Sequence, residues 1–497
     1  MAKKLKKGSI TIFLALILSL ILSLVCASIE SVRMAAARTQ IINSMDIGLY
    51  SLFGQYDRNL LEDYDLFALY AGGKEEPDMA SVYDNFQSYM KPVLKQNSQK
   101  LTLLQGGFNG YQLLTDGNGE VFYQQAVKTM KETLGSQGVQ VLLRKLKDQQ
   151  KKTDEAEKKG QQAENGGTLK SYDSEISDAA QKSEEAEKEQ QNQTDSGEPG
   201  NGGGADDFTG GINTEVENPI PVIRKVRKMG LLDLVVPAEK GISDSSVNKK
   251  YLASGRKLQT GLEMDTNIQS DSSYTSGILF DQYLLNKLGN YTKPASSGLK
   301  YQVEYILGGK NNDRENLKSV AAKLLLIRQG VNMAYLISDG GKRIQIETLS
   351  LAIASGFLVP PAAVVIEAAL IFCWAFAESI LDVRELFAGG HVPLVKTASD
   401  WQLSLSNLSN ILDSLDSSRK DSGAGMSYED YLRIMLMTTG KHQQVTRGMD
   451  MIECTIRDKG NRPQFQMDHC IVALEASADV RANKKKIFTV TRRYAYE

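Results

Sequence analysis

The N-terminus combines a basic start with a long uncharged run. Four lysines lie within residues 1–8, and no charged residue occurs from Ser9 to Ile29. As a helix, residues 9–29 would be about 31 Å long, which matches the hydrocarbon core of a bilayer. Because the lysines flank only one end, we expect residues 1–8 to be a cytoplasmic tail, residues 9–29 a transmembrane anchor, and the chain after Glu30 extracytoplasmic.

The same segment also fits a cleavable signal peptide that is cut after Ala27. Two features favour a retained anchor. The apolar run is longer than most signal-peptide cores, and from Ser9 to Phe53 there is no proline and only one glycine, Gly48. Apolar residues recur at helical spacing beyond Ile29, so the sequence predicts an amphipathic stalk helix over residues 30–72.

Small residues recur at every fourth position within the anchor. Such residues let another helix approach closely, and hydroxyl groups can hydrogen-bond across the contact. A competing interpretation is that they are ordinary membrane-helix residues, since each four-residue step drifts by about 40° around a helix of 3.6 residues per turn. The candidate helix-packing residues are Thr11, Ala15, Ser19, Ser23 and Ala27.

The length, the net charge and the motif content of the chain limit the classes of function that it can have. The 497 residues, 41% of them hydrophobic, can form one large or two moderate domains. A net charge of −2, without a basic patch beyond the N-terminal lysines, argues against nucleic acid as a partner. The three histidines are far apart, and no metal-binding, nucleotide-binding or hydrolase motif occurs. We therefore expect no catalytic residues, no metal and no cofactor.

The cysteines leave two interpretations open. Cys26 lies in the anchor and Cys373 in an apolar run, which leaves Cys454 and Cys470 as a candidate disulfide. An extracytoplasmic location would permit that bond. Alternatively, both are lone buried thiols, because free cysteine often packs as a small apolar residue.

Composition divides the rest of the chain into three parts. Residues 73–147 are predicted to be a first part of the ectodomain, with a helix from Glu120 to Lys147. Residues 148–216 are rich in Lys, Glu, Gln, Ser and Gly and almost lack large apolar side chains, so a disordered low-complexity linker is predicted. Residues 217–497 are predicted to be the main, helix-rich ectodomain with C-terminal strands.

Sequence patterns specify several elements within residues 217–497. Alternating apolar residues predict a strand over Tyr301–Leu307, and Asn312 is the predicted N-cap of the next helix. Cys470–Leu474 and Ile487–Tyr494 are predicted to pair as strands. The predicted fold class is α+β and helix-rich, with a transmembrane helix that continues into a stalk and an extracytoplasmic ectodomain that carries a long disordered insertion.

A second apolar stretch, Thr348–Ala377, contains one charged residue, Glu367. Pro360 and Pro361 divide it into two pieces, and neither is comfortably long enough to cross a bilayer. A carboxylate facing lipid would also be costly. A buried helical hairpin is therefore favoured, and a membrane-inserted element is the alternative.

Several segments resemble known proteins. Residues 6–14, Lys-Lys-Gly-Ser-Ile-Thr-Ile-Phe-Leu, and residues 30–40, Glu-Ser-Val-Arg-Met-Ala-Ala-Ala-Arg-Thr-Gln, are similar to the start of the minor pseudopilins of tight-adherence (Flp-type) pili, the TadE/TadG-like proteins. Nearly the whole chain except the linker resembles an uncharacterised bacterial family of large membrane-anchored proteins associated with such pili. The segments that carry this wider likeness are Leu52-Phe-Gly-Gln-Tyr-Asp-Arg-Asn-Leu-Leu, Val303-Glu-Tyr-Ile-Leu-Gly-Gly-Lys and Ala377-Glu-Ser-Ile-Leu-Asp-Val-Arg.

The resemblance to pilins implies cleavage after Gly8, which would leave Ser9 as the first residue, and packing of the N-terminal helix against other helices in the membrane. Ser9 replaces the usual Met or aromatic residue, and Phe13 stands where pilins carry a glutamate that helps incorporation.

We therefore expect a single-pass, envelope-anchored structural or accessory protein, a pseudopilin-like component of a tight-adherence-type pilus or secretion assembly. Its expected partners are the membrane and other pilus-type or envelope assembly proteins. The alternative is a secreted surface-binding protein released by cleavage after Ala27. An envelope hydrolase ranks third.

Overall fold

The computed structural model describes residues 6–95, 100–165, 168–172, 174, 177–178, 217–262, 264, 268–356, 362–415, 425–483 and 486–496. Helices dominate these ranges, and one antiparallel sheet accompanies them. The predicted helix-rich α+β class is therefore confirmed.

The helices are numbered in chain order within the described ranges. The α-helices are α1 (Lys6–Phe53), α2 (Arg58–Tyr64), α3 (Met79–Lys95), α4 (Asp116–Asn165), α5 (Ile220–Arg227), α6 (Leu231–Val235), α7 (Tyr274–Lys287), α8 (Gln302–Gly308), α9 (Asp313–Ser338), α10 (Gly340–Gly356), α11 (Ala363–Ala388), α12 (Ile411–Ser414), α13 (Tyr428–Met437) and α14 (Lys441–Lys459). Short 3₁₀-helices are formed by Lys249–Tyr251, Leu405–Asn410 and Met467–His469.

The sheet is built around one long strand near the C-terminus. Its strands are β1 (Leu69–Tyr70), β2 (Thr102–Leu113), β3 (Cys470–Ala482) and β4 (Lys486–Ala495). β3 is antiparallel to all of its partners, with β2 along one edge and both β1 and β4 along the other. The predicted pairing of the two C-terminal strands is confirmed.

The chain folds into two compact units, and each is assembled from separated segments. The segments are residues 1–132, 248–276 and 445–497 in unit 1, and residues 133–247 and 277–444 in unit 2. The two ectodomain parts predicted from composition, 73–147 and 217–497, therefore each contribute to both units.

The core of unit 1 is the second half of α1, packed with α3 and β3. Ile41 and Leu49 of α1 are at most 1% exposed and share this core with Phe86 of α3 and Leu474 of β3. A Cβ atom at Gly48 would lie 2.9 Å from Phe86 Cε2, so glycine allows α3 to approach α1 closely. The α1 residues of this core are Ala37, Ile41, Met45, Leu49, Leu52 and Phe53.

Contacts from the C-terminal strand hold the end of α1. The Phe53 ring lies 4.8 Å from the rings of both Tyr494 and Tyr496, and the Tyr496 hydroxyl donates a hydrogen bond of 2.6 Å to the Phe53 carbonyl. Arg492 also forms an ion pair of 2.6 Å with Asp46, which precedes Phe53 in α1. Since the last carbonyls of a helix have no partner within it, the Tyr496 hydroxyl satisfies one of them.

The predicted stalk extends to residue 72, whereas α1 ends at Phe53. Gly54 follows, and the Asp57 side chain then accepts a hydrogen bond of 3.1 Å from the Leu60 N–H, which starts the separate helix α2. Such a cap offers the backbone an alternative to continuing the first helix. Residues 30–72 therefore form the second half of α1, α2 and β1 rather than one helix.

Unit 2 is built around α9 and α11, which pack against each other. Most side chains of α11 from Ile366 to Phe387 are buried. The apolar stretch Thr348–Ala377 forms two helices that contact each other, α10 and α11, as predicted. Residues 357–361 between them, including Pro360 and Pro361, lie outside the described residues. Burial is extensive in α11 but is confined to one face of α10.

The predicted strand Tyr301–Leu307 is wrong, because these residues form the helix α8. Every side chain from Gln302 to Ile306 is buried, so the apparent alternation does not mark a buried and an exposed face. The polar members instead accept internal hydrogen bonds: Gln302 Oε1 from the Gly289 N–H (3.1 Å) and Glu304 Oε1 from the Tyr291 N–H (2.7 Å).

Part of the predicted linker is helical. The helix predicted over Glu120–Lys147 continues as α4 to Asn165, and residues 168–172 are also helical. Lys, Glu and Gln favour helix, and Thr153 and Ala156 are buried. The prediction of disorder for residues 148–216 is therefore wrong at its start, and residues 179–216 lie outside the described residues.

We expect Leu49→Ala to lower the free energy of unfolding of unit 1 by about 2–5 kcal/mol, because it opens a cavity between α1 and the sheet. The measurement is hydrogen exchange of β3 amides in the detergent-solubilised full chain. The matched control is Ile47→Ala on the same helix, since Ile47 is 45% exposed. Equal protection of β3 in both variants would contradict the packing described here.

Candidate membrane anchor and buried ionic clusters

The first half of α1 is an exposed apolar helix. Every residue from Ile10 to Arg33 is exposed, and none of its most apolar window is buried within the protein. Leu16 and Leu20, for example, are 63% and 67% exposed. An apolar surface of this extent marks contact with a membrane or a partner. By length and composition, the Ile10–Phe53 segment can cross a bilayer.

The residues predicted to pack helices all lie on this exposed half. They are Thr11, Ala15, Ser19, Ser23 and Ala27. The Ser23 hydroxyl donates a hydrogen bond of 2.9 Å to the Leu20 carbonyl of its own helix. Gly8 and Ser9, the candidate processing positions, lie in the first turns of α1. The row is therefore available for contact with another helix.

Among the described residues, α9 and α11 are also long and apolar enough to cross a membrane. Their most apolar windows are 61% and 72% buried inside the protein, in contrast to the window of α1. Both helices also carry buried charged groups, Arg328 in α9 and Glu378 and Asp382 in α11. These features favour helices of a protein core.

The unit 2 ionic cluster consists of Arg328, Glu378, Asp382 and Lys396, whose side chains are at most 1% exposed. Arg328 lies 3.0 Å from Asp382, and Lys396 Nζ lies 2.7 Å from Asp382 and is also paired with Glu378. Two cations thus balance two carboxylates. Removing one member would leave a buried charge without its partner, which typically costs about 3–5 kcal/mol.

Hydrogen bonds connect this cluster to two other parts of unit 2. Arg328 donates to the Pro393 carbonyl (2.9 Å) and to the Tyr431 hydroxyl of α13 (3.0 Å). Glu378 accepts from the backbone N–H groups of Gln402 and Leu403, at 3.0 and 2.9 Å. The cluster therefore fixes α9 and α11 relative to α13 and to the segment that follows α11.

A lysine and aromatic rings lie next to the cluster. The Lys342 ammonium lies 4.7 Å from the ring centre of Trp374 and 4.8 Å from that of Trp401, and burial lowers its pKa. Tyr335 stacks on Trp401 at 5.2 Å. Such cation–π contacts help to hold α10 against α11.

The unit 1 ionic cluster consists of Arg256, Arg457, Glu453 and Asp468. Arg256 lies 2.5 Å from Glu453 and 2.6 Å from Asp468, and Arg457 lies 3.0 Å from Glu453. Burial raises the pKa of Glu453, although hydrogen bonds from Arg256 oppose this. Burial would lower the pKa of Arg256, but its bonds to Glu453 and Asp468 raise it. The cluster joins α14 to the start of β3 and to the segment around Arg256.

Sequence reasoning missed both clusters. The only sequence signal in unit 2 is that Glu378 and Asp382 stand four residues apart in α11, and so share one face. Their partner Lys396 lies beyond the helix, and Arg328 belongs to a different helix. Only the folded chain brings these groups together.

The structure contains no disulfide between Cys454 and Cys470, contrary to one of the two interpretations. Cys470 is fully buried at the start of β3, where its thiol donates to the Gln466 carbonyl at 3.7 Å. Burial raises the pKa of this thiol well above its usual range, which suits a packed side chain rather than a nucleophile. Cys454 lies on α14. Within the described ranges, no group of three or more metal-ligating side chains is placed to hold a metal ion.

Burial raises the pKa of two carboxyl groups of unit 2. Burial raises the pKa of Glu304 to about 7, although bonds from the Tyr428 hydroxyl (2.7 Å) and the Tyr291 N–H lower it. Burial likewise raises the pKa of Asp281 to about 8, although a hydrogen bond with the Gln444 side chain lowers it. Both groups therefore retain a proton in the folded chain at a pH where the unfolded chain has lost it.

We expect Glu304→Gln to reduce the pH dependence of unit 2 stability. In the wild type, the raised pKa means that the Glu304 contribution to the unfolding free energy falls as pH rises from 4.5 to about 7. The fall is on the order of 3 kcal/mol, since one pKa unit corresponds to about 1.4 kcal/mol. Urea unfolding, followed by the fluorescence of Trp374 and Trp401, measures the effect.

The matched control for this experiment is Glu315→Gln, which removes an exposed carboxylate from α9. It should leave the wild-type slope of stability against pH unchanged. A slope that is identical in wild type and Glu304→Gln would show that Glu304 ionises as readily in the folded chain as in the unfolded one.

Comparison with known proteins finds one family. A model of a family of unknown function (DUF5702) matches residues 209–482. The matched range begins after α1 and includes every residue of both ionic clusters. No curated protein and no solved structure matches the chain.

Proposed function

The chain belongs to this family of unknown function, and we propose that it is a single-pass, membrane-anchored structural or accessory protein of the cell envelope. More specifically, we propose a pseudopilin-like component of a tight-adherence-type pilus or secretion assembly. The observation that carries the proposal is the division of α1 into an exposed apolar half and a half that forms the core of unit 1.

The continuity of α1 supports anchoring rather than secretion. Residues 10–33 expose apolar side chains that water would disfavour and a bilayer would accept. The helix then runs without a break into the core residues that begin at Ala37. The exposed apolar half is therefore joined to the core of unit 1 through one uninterrupted helix.

The charge distribution gives the proposed orientation. The lysines of residues 1–8 would stay on the cytoplasmic side, and both folded units would be extracytoplasmic. The small residues of the exposed half, Ser19 and Ser23 among them, would contact helices of other envelope or pilus-type assembly proteins. Association with these partner proteins would then depend on helix–helix contacts inside the bilayer.

The mature N-terminus tests the proposal. We expect the chain in the membrane fraction to begin at Met1 or Ala2 as an uncut anchor, or at Ser9 if prepilin-type processing occurs. Mass spectrometry of the N-terminal peptide, on separated membrane and soluble fractions, distinguishes the two. A chain that begins at Ser28 in the soluble fraction would instead indicate a secreted surface-binding protein and overturn the anchoring proposal.

The helix-packing role has its own test. A photo-crosslinking amino acid in place of Leu16 should capture a partner helix in membranes, and large substitutions such as Ser19→Leu with Ser23→Leu should reduce the captured product about tenfold by blocking close approach. Leu22→Phe is the matched control, because Leu22 is already large and 61% exposed. Equal yields from all three chains would exclude this row as the contact.

A further inference from the structure

Exposed cations lie on α1 where the helix passes from its exposed half into the core of unit 1. Arg33 and Arg38 lie about 6 and 14 Å beyond Ile29, the last residue of the uncharged run, at about 1.5 Å per residue. Both side chains are exposed, and the core begins between them, at Ala37. The two arginines therefore mark the boundary between the apolar half of the helix and the folded unit.

Helix α3 brings further cations to the same end of unit 1. It runs antiparallel to α1, because Phe86 lies against Gly48, whereas the Val93 carbonyl accepts a hydrogen bond of 3.2 Å from the Gln40 side chain. The C-terminal end of α3 therefore points back toward the exposed half of α1. The exposed lysines in its last turns are Lys91 and Lys95.

The sheet contributes a third group of cations. β4 runs in the same direction as α1, because Arg492 pairs with Asp46 at 2.6 Å and the Tyr496 ring contacts Phe53, seven residues further along the helix. The start of β4 therefore lies on the side from which α1 enters the core. Strand pairing brings the start of β2 and the end of β3 to the same place, since Thr102 lies opposite Arg481 and Ala482 opposite Lys486. The exposed cations here are Lys100, Arg481 and Lys486.

The seven cations are not neutralised by the fold. They are called the basic end below and are Arg33, Arg38, Lys91, Lys95, Lys100, Arg481 and Lys486. None of them forms an ion pair with another side chain in the described ranges of the chain. Glu30 and Asp479 are the carboxylates in the described segments that form this end. At the opposite end, beyond the last turn of α1, Asp63 is paired with Lys459 at 2.8 Å.

We propose that the basic end binds anionic phospholipid headgroups at the surface of the bilayer that α1 enters. The inference rests on the proposed anchoring by α1, since this one helix sets the distance between its arginines and the acyl chains. The headgroup layer adds about 5–8 Å to each side of the hydrocarbon core, and electrostatic attraction acts over a further Debye length of about 8–10 Å. Arg33 and Arg38, about 6 and 14 Å beyond Ile29, fall within that range. This position, next to the apolar half of α1, favours lipid over an acidic protein as the partner.

The experiment uses the full chain reconstituted in vesicles that contain a lipid with a nitroxide on its headgroup, which quenches nearby tryptophan fluorescence. The reporter is Ile487→Trp, because Ile487 is 53% exposed at the start of β4. The control reporter is Tyr50→Trp, because Tyr50 is 69% exposed and lies about 32 Å along α1 from Ile29. Trp374 and Trp401 are at most 9% exposed, and their signal is subtracted with chain that lacks a reporter.

Two charge-reversal variants separate this surface from net charge. Lys91→Glu with Lys95→Glu reverses two cations of the basic end. The matched control is Lys74→Glu with Lys128→Glu, which changes the net charge equally on exposed lysines of unit 1. Lys74 precedes the start of α3, and Lys128 lines a cavity together with Tyr496, so both lie away from the basic end.

We expect quenching at position 487 to rise at least about twofold when equimolar phosphatidylglycerol and phosphatidylcholine replace phosphatidylcholine alone at low salt, because anionic headgroups attract the cations. High salt should abolish the rise by screening. The rise should also be lost in the Lys91/Lys95 variant, persist in the Lys74/Lys128 variant and be absent at position 50.

Quenching at position 487 that is equal in the two lipid mixtures, in protein that stays with the vesicles after an alkaline wash, would overturn the inference and leave the α1 anchor intact. Protein that the wash removes would instead overturn the anchoring itself. Equal loss of the rise in both charge-reversal variants would assign the effect to net charge and so overturn the role of this surface. Equal quenching together with an acidic protein that the wild type binds and the Lys91/Lys95 variant does not would assign the basic end to that protein.

Discussion

The structure depends on one continuous helix, of which residues 10–33 are exposed and the second half is buried in unit 1. The exposed residues 10–33 are mostly apolar, and the second half of α1 supplies Ile41, Met45 and Leu49 to the core of unit 1. Since the helix contains neither proline nor a bulge, no hinge separates the two environments. The sheet of unit 1 is therefore held at a fixed distance and angle from the apolar half of the helix, and the Tyr496 hydroxyl secures the point where the helix ends.

Buried charge is the second organising constraint. Each unit places two carboxylates and two cations together with little or no exposure, and each cluster joins segments that are far apart in sequence. Buried ion pairs contribute little net stability, since desolvation offsets their attraction. Their effect is on specificity: a different packing of α9 against α11 would leave Arg328 or Lys396 without a partner, and is disfavoured for that reason.

The unit 2 ionic cluster distinguishes the apolar helix α11, which is buried, from the apolar part of α1, which is exposed. α1 and α11 both satisfy the length and composition of a membrane span, yet α11 carries Glu378 and Asp382 on its buried side and lies inside unit 2.

Local sequence determined the elements whose signals are local. The uncharged run of α1, the Asn312 cap that receives the Glu315 N–H, and the C-terminal strand pair were all predictable, because each depends on residues close together in the chain. Tertiary structure decided the rest. Tyr301–Leu307 is a helix because its polar side chains find partners inside unit 2, and α4 extends into the charged segment because Thr153 and Ala156 are buried there. Arg328, Lys396 and their carboxylates meet only after folding, and no local pattern encodes contacts between distant segments.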